Sequence, residues 1–440
     1  MAYGRYIQGD ADHSHFMIPS VSLLGARRFL PLFVTQFLGA FNDNLFKNAL
    51  IFFVTYSVYN SVEAETSFSA IATGIFILPF FLFSALAGEL ADSHDKAAIM
   101  RIIKWAEIGI MTVGAAGIFL SLTWVMLIAL FAMGVHSTFF GPIKYAVLPQ
   151  HLAPGEVLGG TGLVEAGTYV AILMGTIAGG LLDPRHAAFV VVGVAVIGML
   201  AARQIPPAPP SVAIRLDWNV LRSSVRLVRA TMHIRRLFLA IVAISVFWSI
   251  AAMIAVLFPP LVKNVFLAEP SVASSFLAVF SIGIAIGSVI INRLLMGEVS
   301  ARYAAASVIG MGVFLVDFWF CAHGWTPIVP GLADLPTFLR DPGAIRVFID
   351  LAGISITGGM FVVPLYAFLT TTVPQSETAR TVAANNIVNS GAMVIGSVGI
   401  LGVTHLGVSV TDALWVLVAT TLVSAYCALR LHGACADGNC

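Results

Sequence analysis

Apolar residues fall in long blocks along this chain, and polar residues collect in the short intervals between them. Twelve blocks predict helices at about 29–58, 67–91, 99–121, 124–148, 157–182, 187–205, 237–262, 272–296, 303–323, 345–372, 382–404 and 411–431. Each is close to 20 residues or longer, the length a helix needs to cross a hydrocarbon core of ~30 Å. Runs of that length select helices over the ~10-residue alternating segments of a barrel. The expected fold class is therefore an all-α membrane protein with twelve transmembrane helices.

One block breaks its own pattern. Between Phe29 and Tyr59 the sequence places Gln36, Asn42, Asp43, Asn44, Lys47 and Asn48. Gln36, Ala40, Asp43 and Lys47 are spaced by 4, 3 and 4, so they share one helix face. At ~1.5 Å per residue, Asp43 lies roughly 21 Å into the span. An ionised group at that depth costs roughly 2.5–3.5 kcal/mol on insertion scales, so it faces a bundle interior or a wet cavity. Asp43 and Lys47 could simply neutralise each other one turn apart. The flanking asparagines favour a polar substrate-binding strip instead.

Lysine and arginine set the orientation. With the N-terminus inside, 18 of them fall in inner segments; Arg185, Lys263, Arg340 and Arg346 are the 4 in outer segments. This positive-inside bias predicts that both termini are cytoplasmic. No signal-peptide apolar core precedes Arg27-Arg28, so the first helix would stay as an anchor. Pro206-Pro207-Ala208-Pro209-Pro210 breaks the chain near its middle, and Asp217–His233 follows as a basic amphipathic segment. Trp218, Leu221, Val225, Leu227 and Val228 form its apolar side, opposite Arg222, Arg226 and Arg229, which suits a helix on anionic headgroups.

The expected domains are a tail (1–28), a six-helix bundle (29–205), a linker (206–236), a second six-helix bundle (237–432) and a tail (433–440). The bundles read as repeats. Ser67-Phe68-x-Ala70 recurs as Ser275-Phe276-x-Ala278, and Gly162–Gly167 aligns with Asn386–Gly391. The offset grows where the second half has the longer outer loop, Gly324–Ala344.

Composition excludes several classes. Only 10% of the residues are charged, against about 25% in soluble domains, which removes a soluble enzyme or a nucleic-acid binder. Cys321, Cys427, Cys435 and Cys440 lack zinc or redox spacing. No phosphate-binding G-x-x-x-x-G-K-[ST] loop and no His-x-x-x-x-Asp acyltransferase pattern occurs, so neither enzyme chemistry nor a cofactor is expected.

The loop Gly88-Glu89-Leu90-Ala91-Asp92-Ser93-His94-Asp95-Lys96 resembles the G-x-x-x-D-x-x-x-[RK] gating loop of the major facilitator superfamily, with Ser93 at the first basic position. Three blocks narrow the resemblance: Gln36–Asn44, Phe140–Pro149, and Gly162–Ala166 continuing through Ala171–Gly180. With Gly358–Leu365 they look like the bacterial lysophospholipid transporter family, over about residues 28–432. The resemblance implies a multi-pass carrier of the bacterial cytoplasmic membrane, monomeric, with two six-helix bundles. It would move lysophospholipid, of the lysophosphatidylethanolamine type, from outer to inner leaflet, where an acyltransferase or acyl-carrier-protein ligase partner would restore the missing chain. Relatives are expected to carry a basic residue in the seventh span; Phe247–Val262 has none, and Ala255 stands about where it would be.

The residues assign themselves accordingly. Gln36, Asp43, Asn44, Lys47, Lys144, Tyr145, Glu165 and Asn389 are the candidate substrate-binding set, with Asp43 for an ammonium and Lys47 or Lys144 for phosphate. Glu165 could pair with Lys144 or carry a proton. Gly88, Asp92 and Lys96 are the candidate gate, with the basic residue at the inner surface. Asp317 and Asp350 read as isolated intramembrane acids and, with Glu165, as possible coupling sites. Lys104 and Glu107 read as a local i,i+3 pair, and His136 as a packed or cavity-lining group. A proton-coupled exporter of small amphipathic compounds on the same fold is the alternative.

Overall fold

The computed structural model describes residues 22–153, 156–210, 219–295, 300–327, 329, 331–373 and 375–436. Thirteen long helices account for most of them: α1 (Leu30–Phe53), α2 (Val62–Ser93), α3 (Lys96–Leu120), α4 (Thr123–Ala146), α5 (Val157–Leu181), α6 (Pro184–Ala202), α7 (Val220–Met232), α8 (Arg235–Asn264), α9 (Pro270–Leu294), α10 (Ala304–His323), α11 (Pro342–Thr371), α12 (Gln375–His405) and α13 (Leu414–Ala436). Among the described residues, ten are long and apolar enough to cross a membrane. The exceptions besides the short α7 are α1, diluted by its polar strip, and α5, whose described apolar stretch is Ala166–Leu181.

Local chemistry starts these helices where the sequence turns. Ser61 accepts from the Ala64 amide at the head of α2, with Glu63 and Glu65 in the first turn. Asp95 caps α3, and Asp183 and Asp341 cap α6 and α11 just before Pro184 and Pro342. Such caps satisfy amides that have no partner inside the helix, and proline at the first position loses nothing there.

The halves repeat one packing scheme. In the first, α1 packs on α4, α5 and α6, α2 on α4, and α3 on α4 and α6. In the second, α8 packs on α11, α12 and α13, α9 on α11, and α10 on α11 and α13. Each pair maps onto its counterpart in order, so the duplication read from two short motifs extends to the whole fold. This is the two-bundle arrangement that the sequence resemblance implies. Between the halves run α2 against α12 and α8, and α5 against α9.

Helices α1 and α5 approach where glycine allows it. A Cβ on Gly175 would stand 2.4 Å from the Phe41 carbonyl oxygen, and one on Gly179 2.8 Å from the Asn48 Cβ. These glycines seat α5 on α1 within one half, while Gly180 faces Ser274 of the other.

The proline stretch is not a free linker. The Ala208 carbonyl accepts from the Lys96 amide at 2.9 Å, Gln150 donates to the Pro209 carbonyl, and Arg101 to that of Ile205. Residues 205–210 thus fold back across the start of α3. Trp218 and Asp217 lie outside the described residues, and α7 begins at Val220. It packs on α2, α12 and α8, with Ser223 donating to Glu89 at 3.1 Å, while Leu221 and Val225 stay exposed.

Candidate functional site

The polar strip of α1 fans out to four neighbouring helices. Gln36 faces α5, where the Thr168 hydroxyl donates to its side-chain oxygen at 2.8 Å, and Lys144 of α4 donates to the same hydroxyl at 3.2 Å. Asn42 faces α3 and α6, donating to Glu107 Oε1 at 3.0 Å and to the Val191 carbonyl at 3.1 Å. Asp43 faces α4 and accepts from the Ser137 hydroxyl. Asn44 bonds back to the Ala40 carbonyl, and Asn48 reaches both Asn44 O and Thr176 Oγ1.

Asp43 and Lys47 are not paired directly. Asp43 is 9% exposed, and its Oδ1 is buried without a partner among the described residues. Half-buried Lys47 holds its ammonium 5.3 Å above the Phe76 ring of α2, a cation–π position. Among the described residues, the acid thus keeps an unpartnered accepting oxygen one helical turn from an amine that makes no close ion pair.

Behind Asp43 lies a buried cluster that the strip alone did not reveal. Lys104 and Glu107 form the expected i,i+3 pair at 2.5 Å, with side chains 0% and 1% exposed. His136 Nε2 stands 3.3 Å from the same Glu107 oxygen, and its Nδ1 is 3.4 Å from the Ser137 hydroxyl. Lys104 is boxed in: a Cβ on Gly39 would come within 2.8 Å of its Nζ, and one on Gly198 within 3.6 Å. Asp43, Ser137, His136, Glu107, Lys104 and Asn42 thus form one connected set across α1, α3 and α4. His136, read as a packed or cavity-lining group, stacks on the Phe140 ring with centroids 6.2 Å apart. The neighbouring Ser137 carried no signal, because a single serine in a helix usually bonds its own backbone.

The second half answers with uncharged groups. Ser245 of α8 donates to Asn389 Oδ1 at 2.7 Å, and Asn389 donates to the Tyr366 hydroxyl of α11 at 3.1 Å. Trp248 Nε1 also reaches that hydroxyl at 3.0 Å. These helices correspond by the repeat to α1, α5 and α4, where Gln36, Thr168 and Lys144 meet. Asn385 is fully buried nearby on α12.

Other expected residues are placed differently. Lys144 also lies over the Tyr145 ring at 4.9 Å, while the side chain of its expected partner Glu165 lies outside the described residues, as does that of Asp92. Lys96 was expected at the surface and is 2% exposed, because residues 205–210 cover it. Gly88 has open space around it. Asp317 and Asp350 are not isolated. Arg346 donates to Asp317 through Nε at 3.1 Å and through Nη2, and Cys321 Sγ donates to Asp350 at 3.3 Å. Arg346, counted among the outer segments, lies one turn into α11 and reaches across to α10. Asp317, Cys321 and Asp350 cluster closely, and the guanidinium supplies the positive charge such a group needs.

Outside the spans, the Ala153 amide and then Arg28, at 2.7 Å, hold the Glu156 carboxyl below the usual range. This ties the N-terminal segment to the loop between α4 and α5.

Known proteins share the fold of this chain and part of its sequence. The chain is 25% identical to the lysophospholipid transporters LplT of Salmonella newport (strain SL254) and Salmonella typhimurium, over 88% of this chain and 89% of theirs. Among solved structures it resembles the peptide transporter POT in complex with sulfate (TM-score 0.69, 11% identity, 93% of this chain and 94% of that one). It also resembles the nucleoside transporter NupG (TM-score 0.67, 12% identity, 91% and 99%). The family model described as Major Facilitator Superfamily matches residues 32–397, most of the chain. The chain belongs to that superfamily and is a membrane transporter, not an enzyme.

Proposed function

We propose that the protein carries lysophospholipid across the bacterial cytoplasmic membrane, from outer to inner leaflet, by alternating rearrangement of its two bundles. One observation carries the site: Asp43 keeps a buried, unpartnered oxygen one turn from the half-buried ammonium of Lys47. A zwitterionic headgroup offers the complementary pair, an ammonium for Asp43 and a phosphate for Lys47. The similarity to lysophospholipid transporters over 88% of the chain supports this substrate class.

The absent charge in the seventh span fits the same picture. Ala255 is half-buried on α8, and the polar groups of the second half (Ser245, Trp248, Tyr366, Asn389) are neutral. That half contributes hydrogen bonds to the glycerol and ester, while both charges come from α1. Gln36, Asn44, Lys144, Tyr145 and Glu165 complete the set toward the inner leaflet. The orientation, with both termini cytoplasmic, follows from the lysine and arginine bias. It delivers the product where an acyltransferase or ligase partner would act.

The experiment is crossing of lysophosphatidylethanolamine in proteoliposomes. Asp43→Asn and Lys47→Met should each slow it at least about tenfold, the loss of ~1.4 kcal/mol of binding. Crossing at the wild-type rate in both variants sinks the assignment. Crossing that follows an imposed proton gradient with no preference for lysolipid would favour an exporter of small amphipathic compounds.

A further inference from the structure

The face that α7 turns outward is built unlike the face it packs with. Ser224 and Thr231 are buried where α7 meets α2, α12 and α8, and Ser223, Leu227 and Val228 are half-buried. Leu221, Arg222, Val225, Arg226, Arg229 and Ala230 stay exposed. The apolar side read from the sequence is therefore split: Leu227 and Val228 turn in, while Leu221 and Val225 turn out. At about 100° per residue the exposed stripe has an order. Leu221 and Val225 form one edge, the three arginines lie roughly 80–140° round from Leu221, and Ala230 lies about 180° round.

Two attachments place this stripe at the membrane surface. Helix α8, long and apolar enough to span, starts at Arg235, separated from the end of α7 only by His233 and Ile234. Nearer its other end, Ser223 donates to Glu89, about one turn before α2 ends at Ser93. The helix thus runs at the level of the span ends. Val220–Met232 holds three arginines and no acidic residue, and Arg235 and Arg236 follow at once. Lipid phosphate supplies the complementary charge, and the hydrocarbon beneath it the complementary surface for Leu221 and Val225. A protein partner fits less well. One face of a 13-residue helix measures about 20 Å by 10 Å, a quarter of the ~800 Å² per side that a stable protein interface takes.

We propose that the outward face of α7 is a docking surface for the anionic headgroups of the inner leaflet, with Arg222, Arg226 and Arg229 among the phosphates and Leu221 and Val225 dipping beneath them. That the leaflet is the inner one rests on the orientation inferred above. The docked helix lies across the seam of the molecule, on α2 of the first half and on α12 and α8 of the second, and its Ser223 holds Glu89 of the candidate gating loop. Headgroup charge thereby reaches the inner end of the carrier.

The test uses the full chain in nanodiscs, whose two leaflets carry the same lipids, so the outcome does not depend on which way the protein faces. One set is wholly zwitterionic; in the other about a third of the lipid is phosphatidylglycerol. With the native cysteines replaced by serine, a fluorophore is attached in turn at Leu221→Cys, Val225→Cys and Ala230→Cys. Quenching by lipids spin-labelled just below the headgroup reads the depth of each. In anionic discs the first two should be quenched at least about threefold more than the third, because the stripe has one apolar edge. An arginine beside an anionic surface is worth about fivefold in binding, so replacing Arg222, Arg226 and Arg229 together by glutamine should weaken docking about a hundredfold and abolish the difference. Raising salt from about 0.1 to 1 M, which cuts the screening length from ~10 to ~3 Å, should release the wild type as well.

Equal quenching at the three positions, or quenching that neither the lipid charge nor the triple variant alters, overturns the proposal. Amide exchange reads the same docking without a label. Across 220–232 and 88–96 it should be slower in anionic than in zwitterionic discs for the wild type and not for the triple variant. Exchange indifferent to headgroup charge overturns the proposal whatever the probes show, and so does shielding of α7 that appears only when a soluble protein is added. If quenching and exchange follow expectation while a membrane-impermeant maleimide reaches Val225→Cys from outside intact cells, the orientation falls and the docking surface stands, on the opposite leaflet.

Discussion

Glu107 is the acceptor on which the interior of the first half converges, taking Asn42, Lys104 and an approach from His136 onto two oxygens. A pair buried this deeply contributes little as a pair, because desolvation offsets the attraction, yet losing one partner strands the other charge. Lys104→Met or Glu107→Gln alone should therefore destabilise by about 3–5 kcal/mol, and the double variant should recover most of that. Thermal unfolding of the four proteins in detergent checks this; a double variant as unstable as the worse single one overturns it. The i,i+3 spacing made Lys104 and Glu107 readable as a pair. Their link to Asn42, 65 residues away, was not readable, since it depends on which face of α3 turns toward α1. Asp317 shows the same limit: its partner Arg346 is 29 residues on, and no local spacing points to it.

Hydropathy located the helices well because the bilayer imposes a length and a composition on each of them. The signal is weaker on α1, where the polar strip lowers it, and there the flanking apolar turns gave the helix away. Connections were less legible. The loop from Gly324 read as a longer outer segment, yet Leu335–Phe338 forms a helical turn whose Phe338 stacks on Trp325 at 5.1 Å. Phe266 sits at the hub, 4.9 Å from Trp325, 5.7 Å from Phe276 and 5.9 Å from Phe338. Aromatic edges against faces give this cap both area and geometry. Phe266→Ala should cost about 3–5 kcal/mol and loosen one end of the second half only. Hydrogen exchange should rise at 331–341 while α3 to α6 keep their protection. Uniform loosening of both halves would mean that the cap does not belong to one bundle.

At the scale of the whole molecule, the charged contacts between the halves gather at the end opposite α7. Lys263, at the end of α8, donates to Glu65 of α2 at 2.5 Å and to the carbonyls of Thr55 and Tyr59. Asn264 adds a second bond to Glu65, Tyr56 reaches the Ala268 carbonyl, and His405 meets Glu63 at 2.8 Å. Deeper on the same side, Ser274 of α9 donates to the Thr176 carbonyl of α5 at 3.1 Å. A carrier that alternates must break this set to open that end. Glu65 is 1% exposed, so its ion pair is better sheltered from solvent than the exposed His405–Glu63 contact. Shelter raises the cost of separating the charges, and cutting the pair should shift the population toward the state open at this end. With the native cysteines replaced by serine, Ser274→Cys reports the opening through its rate of reaction with a membrane-impermeant maleimide. Adding Glu65→Gln or Lys263→Met should raise that rate by about tenfold, a shift of ~1.4 kcal/mol between the two states. The same substitutions should leave the reactivity of a cysteine at Ser223, on the α7 face, unchanged or lower, because closing one end accompanies opening the other. Faster labelling at both positions would mean that the molecule has loosened instead of alternated, and an unchanged rate at Ser274 would remove Glu65 and Lys263 from the gate.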